Sequence, residues 1–151
     1  MKFIADVMLG RLARFMRFAG YDVEYDSKAT DDFLFQRARY KTLLTRDREL
    51  ARRASKRKVY FVQTTGAENQ LEEIRKQFPL KNTSPRCLLC NRSIVRVAKK
   101  KISHLVPPFV YRTQERFFLC KCCNRIYWKG THFDRLSRVI QFESKRFERG
   151  D

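Results

Sequence analysis

Lys2-Phe3-Ile4-Ala5-Asp6-Val7-Met8-Leu9-Gly10-Arg11-Leu12-Ala13-Arg14-Phe15-Met16-Arg17-Phe18-Ala19-Gly20 is the stretch that decides the fold. Phe3-Ile4-Ala5 is a short apolar run of buried-strand character that ends at a carboxylate. Leu9, Leu12, Ala13, Phe15, Met16 and Ala19 then recur at the spacing of one helix face until Gly20 supplies a stop. The chain repeats this strand-then-helix unit. Tyr21 to Tyr25 reads as a second strand. A helix with Thr30 or Asp31 as N-cap and with Leu34 and Ala38 on its apolar side leads to a third strand, Thr42-Leu43-Leu44-Thr45. Arg46 to Arg53 reads as a helix, Val59-Tyr60-Phe61-Val62 as a fourth strand, and Gly66 to Phe78 as a helix with Leu71, Ile74 and Phe78 on one face. Such alternation predicts an α/β fold: a parallel sheet flanked by helices, its crossovers right-handed.

Composition bounds the partners. The 151 residues include 34 Lys and Arg against 16 Asp and Glu, a formal charge of +18, with 43% apolar residues. That apolar fraction supports a core and excludes a disordered basic tail. The longest apolar runs, such as Val106 to Val110, are far shorter than the ~20 residues of a membrane span. The chain begins Met1-Lys2-Phe3-Ile4 as a strand would, so a soluble, cytoplasmic protein without signal peptide or membrane partner is expected. Excess positive charge points to a polyanion, nucleic acid before anionic membrane, because each neutralised phosphate releases counterions.

The two halves differ. Residues 1–80 hold 17 basic and 11 acidic side chains and no cysteine; residues 81–151 hold 17 basic, 5 acidic and all five cysteines. Pro79-Leu80-Lys81-Asn82-Thr83-Ser84-Pro85 reads as a connection, giving expected domains of 1–80 and 83–133 with a helix or tail over 134–151. In the second half, Cys87-Leu88-Leu89-Cys90 and Cys120-Lys121-Cys122-Cys123 form two CxxC pairs, 29 residues apart. Two such knuckles supply four thiolates for tetrahedral, structural Zn²⁺ in an antiparallel zinc ribbon. Disulfides are the alternative, disfavoured in the reducing compartment expected. Asn91 and Asn124 follow the pairs at equivalent positions, as two similar turns would require. Cys122 is the odd thiol, a bystander unless a CxC bite replaces Cys123.

The acids of the first half fall at strand ends. Asp6 closes the first strand, Asp26 follows the second, Asp31 and Asp32 open a helix, and Asp47 lies two residues past Thr45. Ligands of open parallel sheets bind beyond the carboxyl ends of strands. Each acid taken singly is equally well explained as a cap or an arginine partner. Together they suit a hard divalent ion, Mg²⁺ or Mn²⁺, which would polarise a phosphodiester and activate water. Arg11, Arg14, Arg46 and Arg48 lie near the same strand ends, Arg52 and Arg53 continue a basic helix, and in the second half Lys99, Lys100 and Lys101 precede Phe109-Val110-Tyr111-Arg112, which adds strand formers and charge. Tyr127 and Trp128 are candidates to stack on bases, and His132 and, less so, His104 to touch phosphate or donate a proton.

Phe3 to Arg14, Gly20-Tyr21-Asp22-Val23, Leu43-Leu44-Thr45-Arg46-Asp47-Arg48-Glu49-Leu50, Arg86-Cys87-x-x-Cys90-Asn91 and Cys120-x-x-Cys123-x-x-Ile126-Tyr127-Trp128-x-Gly130-Thr131-His132 together resemble the Mut-7 C-terminal RNase family. The resemblance spans about residue 2 to residue 133. It implies a PIN-like domain followed by a zinc ribbon, and a metal-dependent endoribonuclease whose acidic centre comprises Asp6, Asp31 and Asp47 with Arg46 alongside. Asp32 is the alternative to Asp31. One departure stands out: no acid follows the fourth strand before Glu68, so the three acids would either hold one metal weakly or have their oxygen ligands completed by Thr64 or Asp26. The rival expectation is a non-catalytic RNA-binding or ribosome-associated protein on the same scaffold, bound to RNA or ribosomal RNA. A thiol redox protein conflicts with paired knuckles. No residue pattern demands a second copy of the chain.

Overall fold

The computed structural model describes residues 1–81 and 84–128. They form two compact units, one of Met1–Asn91 and a second that begins at Arg92, so the first CxxC pair lies within the first unit.

The first unit is a four-stranded parallel sheet in the order β2-β1-β3-β4, with β1 Lys2–Ala5, β2 Asp22–Tyr25, β3 Thr42–Thr45 and β4 Val59–Phe61. The connecting helices are α1 Gly10–Phe18, α2 Asp31–Arg37, α3 Arg48–Arg53 and, after β4, α4 Ala67–Gln77. Successive β1 side chains serve opposite faces. Ile4 joins Leu43 beneath Leu34 and Ala38 of the α2 segment and Leu50 and Ala54 of the α3 segment. On the other face, Phe3 meets Tyr21 and Phe78 edge to face at 5.7 and 5.2 Å, while α1 and α4 pack together and bury Leu12, Met16, Leu71 and Ile74. Burial pushes the Tyr21 phenol up to about 12, with Arg75 opposing, and its hydroxyl donates to the Phe78 carbonyl at 2.7 Å.

Local chemistry explains the boundaries. Gly20 at φ 95° ends α1 in a Schellman turn: its N–H donates to the Arg17 carbonyl and that of Tyr21 to the Met16 carbonyl. Thr30, rather than Asp31, caps α2 by accepting from the Phe33 N–H. Asp47 caps α3 through the Glu49 and Leu50 N–H groups, so Arg46 stays outside the helix expected from Arg46 onward.

The loop after β4 is organised by a carboxylate from α4. Glu73 accepts from the Tyr60 hydroxyl (3.0 Å), the Gln63 N–H (2.9 Å), the Thr64 N–H (2.9 Å) and the Thr64 hydroxyl (2.6 Å). Burial alone would raise its pKa, but these donors outweigh it and hold the carboxyl below its ordinary value.

The second unit contains an antiparallel sheet, β5 Val95–Val97, β6 Phe117–Leu119 and β7 Ile126–Trp128, in the order β5-β6-β7. Between β5 and β6 run a 3-10 turn, Lys99–Lys101, and helix α5, Pro108–Thr113. The Phe109 to Arg112 segment, rich in strand formers, is therefore helical: Pro108 occupies the first helical position, where its fixed φ suits a helix start. Ile102, Val106 and Phe117 form this unit's core, with Val97, Val110, Tyr111, Ile126 and Trp128 against it. Among the described residues, no helix is long and apolar enough to cross a membrane.

Because the native Glu73 pKa is depressed, its contribution is present above the ordinary carboxylate pKa and lost as pH falls through the lower native value. Glu73→Gln should cost about 1–3 kcal/mol at pH 7. Thermal melts across pH should show the gap to wild type closing in acid; a gap independent of pH would remove Glu73 as the loop's anchor.

Candidate functional site

The chain runs from β1 outward to β2, then crosses back over β1 to β3 and β4. The direction of winding reverses between β1 and β3, and such a switch point leaves a crevice at the carboxyl ends of the strands. Asp6 and the Arg46-Asp47 pair emerge there. Asp6 is 5% exposed; its N–H extends the β1–β3 ladder to the Leu44 carbonyl, its Oδ1 accepts from the Val7 N–H at 2.6 Å, and its Oδ2 accepts from the Thr45 hydroxyl at 2.6 Å. That hydroxyl in turn accepts from the Asp47 N–H at 2.9 Å. Thr45, fully buried, thus joins the two acids, a role the sequence signals only as the last residue of a strand.

The turn after Asp6 is clamped from β2. The Tyr25 hydroxyl donates to the Val7 carbonyl at 2.9 Å and lies over Gly10, where an added Cβ would stand 2.6 Å from its oxygen. Glycine at position 10 is what lets the ring approach.

Asp47 uses Oδ1 as the α3 cap and is otherwise exposed. Arg46 Nη1 donates to the carbonyls of Gln63 and Thr64, themselves held by Glu73 through the adjoining amides. Thr64, a candidate oxygen ligand, has its hydroxyl on Glu73. Asp31 pairs with Arg53 at 2.5 Å, Asp32 is exposed, and Asp26 Oδ1 accepts from the Lys28 N–H. Among the described residues, no three carboxylates lie at the spacing of a shared ion. Of the basic candidates, Arg11 and Arg14 are exposed, Arg48 lies over the Phe61 ring, Arg52 pairs with Glu49, and Arg53 also lies over Phe35.

The cysteines do converge. Sγ atoms of Cys87, Cys90, Cys120 and Cys123 all lie within 4.8 Å of one another, and all five thiols are free of disulfides. Tetrahedral Zn–S bonds of about 2.3 Å need sulfurs about 3.8 Å apart, so the cluster is compatible with zinc. The turns match as the repeated asparagines imply. Asn91 (φ 65°) and Asn124 (φ 56°) are both left-handed, and each donates its N–H to the carbonyl of the first cysteine of its pair, at 3.0 and 2.8 Å. Cys122 is exposed and outside the cluster. Trp128 is half-buried against Phe117, and Lys99 pairs with Glu115 at 2.8 Å. His132 and residues 134–151 lie outside the described residues.

The chain thus combines a parallel sheet carrying acids at its switch point with a four-cysteine cluster. A family model described as the Mut7-C RNAse domain matches residues 1–140. The chain belongs to the Mut7-C RNAse domain family. No curated protein and no solved structure matches it. Membership makes the chain nuclease-like and RNA-directed.

Within this Mut7-C RNAse domain, the first knuckle is anchored by Arg17, an α1 residue only 4% exposed. Its Nε donates to the Val23 carbonyl (2.9 Å), and its Nη1 to the Leu88 and Leu89 carbonyls (2.8 and 2.9 Å). Burial lowers the Arg17 pKa from its ordinary value, and the Cys87 and Cys90 sulfurs oppose that shift. Asn91 completes the attachment: its Oδ1 accepts from the Val23 N–H at 3.1 Å and its Nδ2 donates to Asp22 at 2.7 Å. The Val23 amide and carbonyl of β2 are thereby satisfied by side chains. Neither residue announces this in the sequence, where Arg17 reads as one more cation.

Arg17→Leu should leave two knuckle carbonyls without their charged donor, lowering stability by about 2–4 kcal/mol. Release of metal to a chromogenic chelator should quicken in the same variant. Unchanged release together with an unchanged melt would return Arg17 to a passive core position.

Proposed function

We propose that this chain is an Mg²⁺- or Mn²⁺-dependent endoribonuclease with its acidic centre at Asp6, Asp31 and Asp47, Arg46 alongside, and a zinc ribbon that aids RNA binding. The observation that carries the reading is the Asp6–Thr45–Asp47 connection at the sheet's switch point, in a chain whose family is an RNase family. The donor set is all oxygen, as a hard divalent cation prefers. When bound, such an ion supplies Lewis-acid charge at the phosphodiester and hydroxide near neutral pH.

The chain's own groups do the rest. Buried Asp6, fixed by two hydrogen bonds, presents a carboxylate that needs no reordering when substrate arrives. Asp47 keeps Oδ2 clear of its capping bonds and faces solvent. Asp31 is paired with Arg53 and would have to give up that partner to join the centre, which would leave Arg53 for phosphate. Arg46, tethered at Nη1, retains its other N–H donors for an oxygen of the scissile phosphate, and exposed Arg11 and Arg14 take flanking phosphates. We assign Cys87, Cys90, Cys120 and Cys123 to one structural Zn²⁺, and RNA, ribosomal RNA included, to the partner.

A second reading, a non-catalytic RNA binder, is favoured by the Asp31–Arg53 pair and by Glu73 spending its carboxylate on backbone. Asp47→Asn separates the two, because asparagine caps a helix as well as aspartate does. Cleavage of labelled single-stranded and structured RNA in Mn²⁺ should fall at least about 100-fold in the variant, with the melt unchanged. Metal-independent products, or equal cutting by the variant, would refute the acidic centre; binding without any cutting would establish the second reading.

A further inference from the structure

Residues 92–128 contain nine Lys and Arg and a single acid, Glu115. That acid is taken by Lys99, whose Nζ also stands 5.0 Å from the Tyr111 ring centroid. Lys99 therefore braces the β5–β6 connection, and residues 92–128 hold no second carboxylate.

The same connection is two-sided. Inward, Ile102 and Val106 are buried with Phe117, and Val110 and Tyr111 pack on them. Outward, Leu105 is 55% and Phe109 67% exposed. Phe109 and Arg112 are three residues apart in α5, hence on one side of it, and Lys100 and Lys101 are exposed in the preceding turn. A phenyl ring left in water forgoes its burial, and here it does so with Arg112 on the same side of the helix. An occupant with flat apolar faces and a negative backbone recovers both. Unpaired nucleobases in a single strand have that character, whereas a duplex hides its base faces. An anionic membrane is the less suitable occupant: α5 is six residues long and offers little apolar face for interfacial insertion.

We infer that Phe109, with Arg112 on the same side of α5 and Lys100 and Lys101 exposed in the turn that precedes it in the chain, is a stacking platform for single-stranded RNA on the ribbon unit. The inference rests on the RNA-directed reading above but not on catalysis. The ring contributes affinity with little base preference, and the cations contribute its salt dependence.

The test uses the full chain carrying Asp47→Asn, so that RNA stays intact without a chelator that would strip the ribbon. Anisotropy with labelled oligouridine should show Phe109→Ala weakening binding about tenfold, with hairpin-duplex affinity kept within about twofold. Phe109→Trp should restore oligouridine affinity and gain fluorescence quenching on binding. Lys101→Ala should instead lower the slope of log affinity against log salt by about 0.7. Equal losses on single strand and duplex, or no loss with Phe109→Ala, would overturn the platform. So would a variant that loses only its binding to phosphatidylserine vesicles. If Asp47→Asn still cuts, the acidic centre fails, and Phe109→Ala is then compared in cleavage-free Ca²⁺ with the same expected loss.

Discussion

A buried guanidinium holds the first unit and its cysteine knuckle in one piece. Arg17 sits on the helix that packs behind β1, yet its donors reach the β2 backbone and two knuckle carbonyls. A cation so desolvated is tolerable only where every direction offers an acceptor. The Cys87 and Cys90 sulfurs add a favourable field. The cysteine knuckle and the sheet consequently share a residue, so a change at Arg17 reaches both.

A comparable economy operates at the switch point. Thr45 is a strand residue, a donor to Asp6 and an acceptor from Asp47. Its burial fixes the spacing of two acids that leave adjacent strands. Arg46 is restrained from the far side by loop carbonyls, and that loop is restrained by Glu73. The centre is thus framed by backbone contacts from β1, β3 and the β4 loop, which sets the positions of its charged groups before any ligand arrives.

Much of the architecture was legible because hydrophobic period and punctuation agreed. Phe3-Ile4-Ala5, the Leu12-to-Met16 face and Gly20 each argued for the same unit, and the Schellman turn at Gly20 is what the glycine stop implied. The cysteine spacing foretold the thiol cluster, and the paired asparagines foretold two similar turns. Long-range partners were not legible. Nothing in the order of residues says that Glu73 serves the segment 63–64, that Arg17 reaches residues 88 and 89, or that Asp31 faces Arg53. The 109–112 segment misled because β-branched and aromatic residues suit a strand as well as a short helix, and the prolines before it decided the matter. Aromatic exposure was equally hidden: Trp128 went inward and Phe109 outward.

The attachment at β2 has a bearing on the fate of the molecule when its thiols are oxidised or starved of metal. β2 is the outermost strand of its sheet, and Asn91 and Arg17 occupy the Val23 amide and carbonyl that would otherwise be open. Exposed strand rims template pairing with a second chain. A knuckle that unravels would bare that rim and invite self-association, so the order of this one cysteine turn bears on colloidal survival as well as on shape.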